Sequence, residues 1–270
     1  MSSTEPPARR NGRIQAVDRA AGIMRALATG TPTLGVTEIA DRIGLAKPTV
    51  YGLLRTLEHN GLVRQDADSG KYSLGPAVLQ LGNAYLAGSE LRTRSMLRAA
   101  ALARQVNEAV WVAVLTEGDV MVVHHEFRPD DVVQILEVGA TIPWHACALG
   151  HAIAAYVAQD TLDTLLTPPL RPLTGRTQTT KAALSRALAK VRTNGYAVEN
   201  QESNVGEGGI AAPILDRHGV GVGSVGIVGP TERLLVSTAT ASLARAVVDT
   251  ARAISRDMSG RRHAMALDES

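Results

Sequence analysis

The sequence predicts an α+β fold in two unequal parts, and three observations carry the prediction. Three short stretches of helical periodicity crowd into the first sixty residues and end in a hairpin signal. Apolar runs joined by tight turns follow, without the regular strand–helix–strand alternation of a parallel sheet. A long amphipathic stretch closes the chain. With 270 residues, 45% hydrophobic and 20% charged, the chain is of globular composition and long enough to bury an ordinary core.

In "VDRAAGIMRALATG", Val17, Ala20, Met24 and Leu27 recur at helical spacing, and Gly30 stands where a C-terminal cap belongs. In "GVTEIADRIG", Val36, Ile39, Ala40 and Ile43 form the next stripe, with Gly35 at the N-cap and Glu38 facing the helix dipole. Gly44 ends that helix, and only Leu45, Ala46 and Lys47 precede the next, where Pro48 suits the first turn. Val50, Leu53, Leu54 and Leu57 then make an apolar stripe, while Lys47, Thr49, Tyr51, Gly52, Arg55 and Thr56 fill the opposite arc. Gly52 in mid-helix costs about 1 kcal/mol relative to Ala. "LVRQD" and "KYSLG" alternate around "ADSG", a hairpin.

Three helices with a tight turn between the second and third, followed by a hairpin, make a winged helix-turn-helix over residues 13–75. The apolar stripe holds the third helix on the first two, and its polar arc is free to enter a major groove beside the wing. The expected DNA-facing set is Lys47, Pro48, Thr49, Tyr51, Gly52 and Arg55 on the helix, with Arg64 and Lys71 on the wing. Arg55 is assigned to a base edge and Lys47 to a phosphate; Gly52 permits close approach. Residues 1–12 read as a disordered arm. Residues 1–75 hold 10 Lys/Arg against 7 Asp/Glu and the remainder 18 against 19, a modest basic bias toward the DNA-facing part.

Residues 76–95 predict a linker helix with Val78, Leu81, Tyr85 and Leu86 on one side, and residues 96–258 a second domain. There "MLRAAALARQVNEA" is a helix, "VWVAVLTEGDVMVVHHEF" a hairpin of two strands, and "VQILEVGA" a further strand. "ACALGHAIAAYVA" and "TKAALSRALAKVRTNG" are helices. "GYAVENQE" and "GIAAPILDRHGVGVGSVGIVGP" give three more strands, and "TERLLVSTATASLARAVVDTARAISRDM" a closing helix. Residues 259–270 read as a flexible tail.

The single cysteine, Cys147, excludes an internal disulfide framework and fits a reducing cytoplasm. The sequence holds neither an apolar run long enough to span a membrane nor a secretory signal at its start. His145, Cys147 and His151, spaced H-x-C-x₃-H, offer zinc-ligand types and a nucleophile–base pair. No acidic partner follows at close spacing, and the adjacent His124 and His125 alternate across a strand. Structural or ligand-lining roles are therefore expected, with no metal and no cofactor. "GVGVGSVGIVGP" lacks the Lys-Ser/Thr of a phosphate loop and reads as strand glycines that leave room for packing or a ligand. Trp111 and Met121 are expected in the core.

The segments "VDRAAGIMRAL", "VTEIADRIGLAKPTVYGLLRTLEHNGLV", "SGKYSLGPAVLQLG", "WHACALGHAIAAY", "GYAVENQESNVGEGGIAAPILD" and "GPTERL" resemble the IclR family of transcription regulators, over residues 14–258. The resemblance implies a non-enzymatic regulator whose N-terminal domain dimerises on near-palindromic double-stranded DNA. It also implies a GAF-like C-terminal domain that binds a small effector, and tetramers built as pairs of dimers. The implied effector residues are His145, Ala146, Cys147, Ala148, Leu149 and Gly150, then Glu199 and Glu202, then Gly209, Gly226 and Val228. Glyoxylate- and pyruvate-type members carry a cysteine and serine hydroxyls where this chain has Gly209, Gly226 and Val228, which weighs against a small keto acid. "VVHHEFRPDD" and "QILEVGA" resemble the actinobacterial branch that governs glycerol operons, implying repression until glycerol or glycerol 3-phosphate appears. Regulation of another pathway, such as aromatic acid catabolism, is the alternative; a metal-dependent enzyme or metal sensor is a distant one.

Overall fold

The computed structural model describes residues 14–130, 134–167 and 169–260. The expected arm (1–12) and residues 261–270 of the expected tail lie outside them. The chain divides into two compact units, the first ending at Gly88 and the second beginning at Ser89.

In the first unit come α1 (Gln15–Ala28), α2 (Val36–Ile43), α3 (Lys47–His59), β1 (Val63–Gln65), β2 (Tyr72–Leu74) and α4 (Pro76–Ala87). The Gly35 N–H donates to Glu38 Oε2 at 2.6 Å, fixing the start of α2. Ile23, Leu27, Ile39, Val50, Leu54 and Leu57 form the core, sealed by Val63 and Tyr72 from the hairpin. Leu34 joins the wing by paired backbone hydrogen bonds with Tyr72, at 2.9 and 2.8 Å. The wing turn is tied by Asp66 Oδ1, which accepts from the Ser69 N–H at 2.8 Å and the Ser69 hydroxyl at 2.6 Å.

The stripe expected on α1 is displaced. Val17 is 62% exposed, whereas Ile23, absent from the expected stripe, is fully buried. Only the C-terminal half of α1 packs on the other helices, so the working stripe runs through Ala20, Ile23, Met24 and Leu27. The continuous helix expected over 76–95 is also interrupted. α4 ends at Ala87, and the Ser89 hydroxyl accepts from the Arg92 N–H at 3.2 Å, capping a new helix at Glu90. No residue of α4 is buried; Leu79, Leu81 and Tyr85 are 69%, 62% and 55% exposed.

The second unit contains α5 (Glu90–Val106), β3 (Ala109–Thr116), β4 (Asp119–Glu126), β5 (Thr141–Pro143), a 3₁₀ turn (Trp144–Ala146), α6 (Ala148–Ala154), α7 (Gln159–Leu165), α8 (Lys181–Asn194), β6 (Ala197–Asn200), β7 (Glu207–Leu215), β8 (Gly221–Pro230), α9 (Thr231–Leu234) and α10 (Ser237–Gly260). Six strands form an antiparallel sheet in the order β5-β4-β3-β8-β7-β6. Helices α5 and α10 pack together and on the sheet, and α6 packs on the sheet with α8 behind it. β7 is buried at seven consecutive positions, Gly208 to Ile214, as a strand covered on both faces must be.

Two expectations change here. No strand covers 134–140: Gly139 and Ala140 each bond to Val122, the Ala140 N–H turns back to the Glu137 carbonyl at 2.9 Å, and the strand proper is the short β5 beyond them. The closing helix is two, because α9 stops at Leu234 and α10 starts at Ser237. The register of the 3₁₀ turn and α6 depends on Gly150, where a Cβ would lie 2.1 Å from the Trp144 carbonyl oxygen.

Leu54→Ala is expected to lower unfolding free energy by about 2–5 kcal/mol, since its side chain is fully buried in the first unit. Gly150→Ala should cost about 1–3 kcal/mol or more in the second, because backbone must move. Urea unfolding of each variant beside the wild type checks both.

Candidate nucleic-acid interface and ligand cavity

In α3, Val50, Leu54 and Leu57 are buried and Leu53 half-buried, so the opposite side is left outward. Lys47, Pro48, Gly52 and Arg55 are exposed, Thr49 is half-buried, and Tyr51 is 50% exposed. Lys47 and Arg55 have no hydrogen bond or salt bridge with any described residue, so their charges are uncommitted. A Cβ at Gly52 would meet nothing within 4 Å, so this unit does not itself require glycine there. On the wing, Arg64 Nε donates to Ser73 Oγ at 3.0 Å. Lys71 Nζ lies 3.9 Å from Glu38 Oε2, an exposed pair that contributes little to stability. The expected set thus forms one cationic face on α3, with two further cations on the hairpin.

The second unit encloses a cavity of about 500 Å³ between α6 and the sheet. Of the expected effector residues, Cys147, Ala148, Leu149, Glu199, Gly209 and Val228 line it. The others serve its walls instead. His145 Nε2 donates to the Arg171 carbonyl at 3.0 Å, holding the loop that carries Arg171 to the cavity. Ala146 is fully buried, and Gly150 is needed against Trp144. Gly226 allows β8 to sit against β7, because a Cβ there would lie 2.7 Å from that of Ala211. Glu202 Oε1 accepts from Gln178 Nε2 at 3.3 Å, while its other oxygen is buried without a partner.

Glu199 is the chemical centre of the cavity. Its Oε1 accepts from the Glu202 N–H and, at 3.3 Å, from the Ser203 N–H. The loop presenting those N–H groups turns through Gln201, at φ 62°, and is tied down by Thr174 and Thr177, each donating at 2.6 Å to carbonyls of Gln201 and Glu202. Burial pushes the Glu199 carboxyl up to about 7, against the lowering influence of those N–H groups. Burial likewise pushes the Cys147 thiol up to about 12, and Cys147 Sγ accepts from the Gly150 N–H at 3.3 Å.

The H-x-C-x₃-H spacing does not converge. His151 Nε2 donates to the His145 carbonyl at 2.9 Å, and burial drives its pKa down to about 4, leaving a neutral ring. Among the described residues no three His, Cys, Asp or Glu side chains are placed to hold a metal. A thiol so far above neutrality is a poor nucleophile. His124 pairs with Glu126 at 2.8 Å, and His125 Nδ1 accepts from the Glu137 N–H at 3.2 Å. Trp111 packs against the core, as expected, and also lines the cavity; Met121 is half-buried on the neighbouring strand. Asp119, Arg171 and Glu207 complete the charged lining. They come from the first residue of β4, a proline-rich loop and the first residue of β7, segments with no shared motif.

A winged helix with a free cationic face, carried on one chain with an antiparallel-sheet unit that holds a cavity of apolar walls and a buried carboxylate, defines a ligand-responsive DNA-binding regulator. Residues 16–67 match the IclR helix-turn-helix domain, and residues 83–256 the bacterial transcriptional regulator IclR C-terminal domain. The chain belongs to the IclR family of transcription regulators. It is 44% identical over 248 residues to the glycerol operon regulatory proteins of Streptomyces griseus and of Streptomyces coelicolor, spanning 91% of this chain and 96% of each relative. The crystal structure of an IclR transcriptional regulator from Alicyclobacillus acidocaldarius matches with a TM-score of 0.79 at 25% identity, over 90% of this chain and 98% of that one.

The raised Glu199 carboxyl gives a pH prediction. Folding favours its protonated form, so stability is lost as pH rises from the ordinary value of 4.5 through about 7. Glu199→Gln should remove that loss, with its melting temperature gaining on the wild type from about pH 5 to about pH 8, read by thermal denaturation across that range.

Proposed function

We propose that this chain represses a catabolic operon for glycerol utilisation, and that glycerol or glycerol 3-phosphate in the cavity relieves the repression. The carrying observation is the pair of uncommitted cations, Lys47 and Arg55, on a helix anchored by its opposite side. The likeness to two glycerol operon regulatory proteins supports the choice of pathway. A single thiol and a DNA target fit a cytoplasmic protein.

The DNA-binding form is a dimer or a dimer of dimers on a near-palindromic operator, with half-sites about 34 Å or a multiple apart. The exposed apolar residues of α4, Leu79, Leu81 and Tyr85, support an interface between copies. Arg55 reads a base edge, Lys47 and Thr49 grip phosphate, and Tyr51 packs beside them, Pro48 setting the helix start. Arg64 and Lys71 rest on the flanking backbone. The effector acts by binding two arrangements of the regulator with unequal affinity, since equal affinity would shift nothing.

Selection of bound sequences from random DNA, with and without glycerol, glycerol 3-phosphate and aromatic acids, tests the reading. A palindrome released by a glycerol compound supports it, and release only by an aromatic acid would move the regulator to another pathway. Arg55→Ala should relax preference at one base pair by about 1–3 kcal/mol, whereas Lys71→Ala should weaken every sequence alike and make the salt dependence shallower. Gel-shift titrations at several salt concentrations separate the two. Leu79→Glu with Tyr85→Glu should lower the oligomeric state, read by sedimentation.

A further inference from the structure

We infer that the cavity beside Glu199 takes an uncharged compound with adjacent hydroxyl groups, and turns away phosphate esters and carboxylates. This rests on reading the cavity as the effector site and chooses between the ligand classes that reading leaves open.

The buried end of the cavity decides the matter. Glu199 is only 3% exposed, and both hydrogen bonds to its carboxyl end on Oε1. Oε2 lies 3.8 Å from where a Gly209 Cβ would stand, so the missing side chain leaves space directly beside an unengaged acceptor. A hydroxyl can donate to that oxygen when Glu199 is ionised and accept from it when Glu199 is protonated, whereas a phosphate or carboxylate, with only acceptors to offer, is served by the protonated form alone. Among the described residues the charged lining beside Glu199 is Asp119 and Glu207, both carboxylates, against a single cation, the exposed Arg171. An anion brought to Glu199 would leave water without a buried partner, the costly arrangement for any charge.

The remaining walls suit carbon-bound hydroxyls. Trp111 presents an aromatic surface, and Leu149 and Ile142 add apolar area on which a C–H face can lie. Acid on one side and aromatic on the other is complementary to a polyol, whose hydroxyls donate and whose backbone is apolar. At about 500 Å³ the space exceeds what three carbons need and admits a longer polyol as well.

Calorimetric titration of the full-length protein with glycerol, erythritol, glycerol 3-phosphate and benzoate tests this, with 1-propanol as the co-solvent control. Saturable heat is expected for glycerol or erythritol, and none for the two anions or the control. Glu199→Gln should weaken polyol binding about tenfold or more. Gly209→Ala, whose methyl would meet Ala148 Cβ and the Ile227 carbonyl at 3.4 Å, should fill the space and weaken it similarly while keeping the wild-type circular dichroism. Should Glu199→Gln fail to fold, Gly209→Ala decides. Tighter binding of glycerol 3-phosphate or benzoate than of either polyol would overturn the inference and leave the cavity as the effector site. Polyol binding undiminished in the folded variants would overturn the placement at Glu199. No binding by any compound would overturn both this inference and the glycerol effector.

Discussion

The second unit depends on how closely α6 can approach the layers around it. Gly150 lets the start of that helix lie on the Trp144 backbone, and Gly209 lets Ala148 reach within van der Waals distance of β7. With both contacts made, Cys147 caps the helix and Cys147, Ala148 and Leu149 face the cavity, so a single short element supplies one of its walls. A side chain at Gly150 would push the start of the helix outward, whereas one at Gly209 would occupy the space beside Glu199. Packing, in this unit, comes before chemistry.

Charge is handled in opposite ways at the two sites. On α3 the cations are exposed and unpaired within the described residues, which suits a surface that exchanges water and counterions for phosphate. In the cavity the acid is almost wholly withdrawn from water, and backbone N–H groups compensate only one of its oxygens. Such a group is expensive to bury, and the fold retains it with a loop braced by Thr174 and Thr177. The first site needs only an anchored helix; the second needs several segments held in register.

That difference explains what could be read in advance. The winged helix is local: its stripes, caps and turn residues lie within sixty consecutive positions, so the third helix and its cationic arc were evident from spacing. Even there, periodicity could not tell that α1 would use Ile23 and leave Val17 in water, because both positions are apolar and only the neighbours decide. The break was marked by Gly88 and Ser89, a stop residue and an N-cap residue in succession, a local signal overridden by the apolar run before it. In the larger unit the six strands were legible except near β5, where an apolar run at 133–140 suggested a strand that lies a few residues later. The cavity was legible only through family resemblance; Trp111 was assigned to the core alone, and Asp119, Arg171 and Glu207 escaped notice because they converge from distant segments. Gly226 and Gly150 looked like ligand positions and turned out to serve strand and helix packing.

If copies associate through helix α4, as proposed, protein concentration becomes a thermodynamic variable. A twelve-residue apolar helix with no buried side chain contributes little to a lone chain, yet any copy that covers it removes that surface from water. Stability then follows mass action, rising with the amount of protein present. Cellular abundance would therefore govern folding together with occupancy, and a dilute sample would melt earlier than a concentrated one.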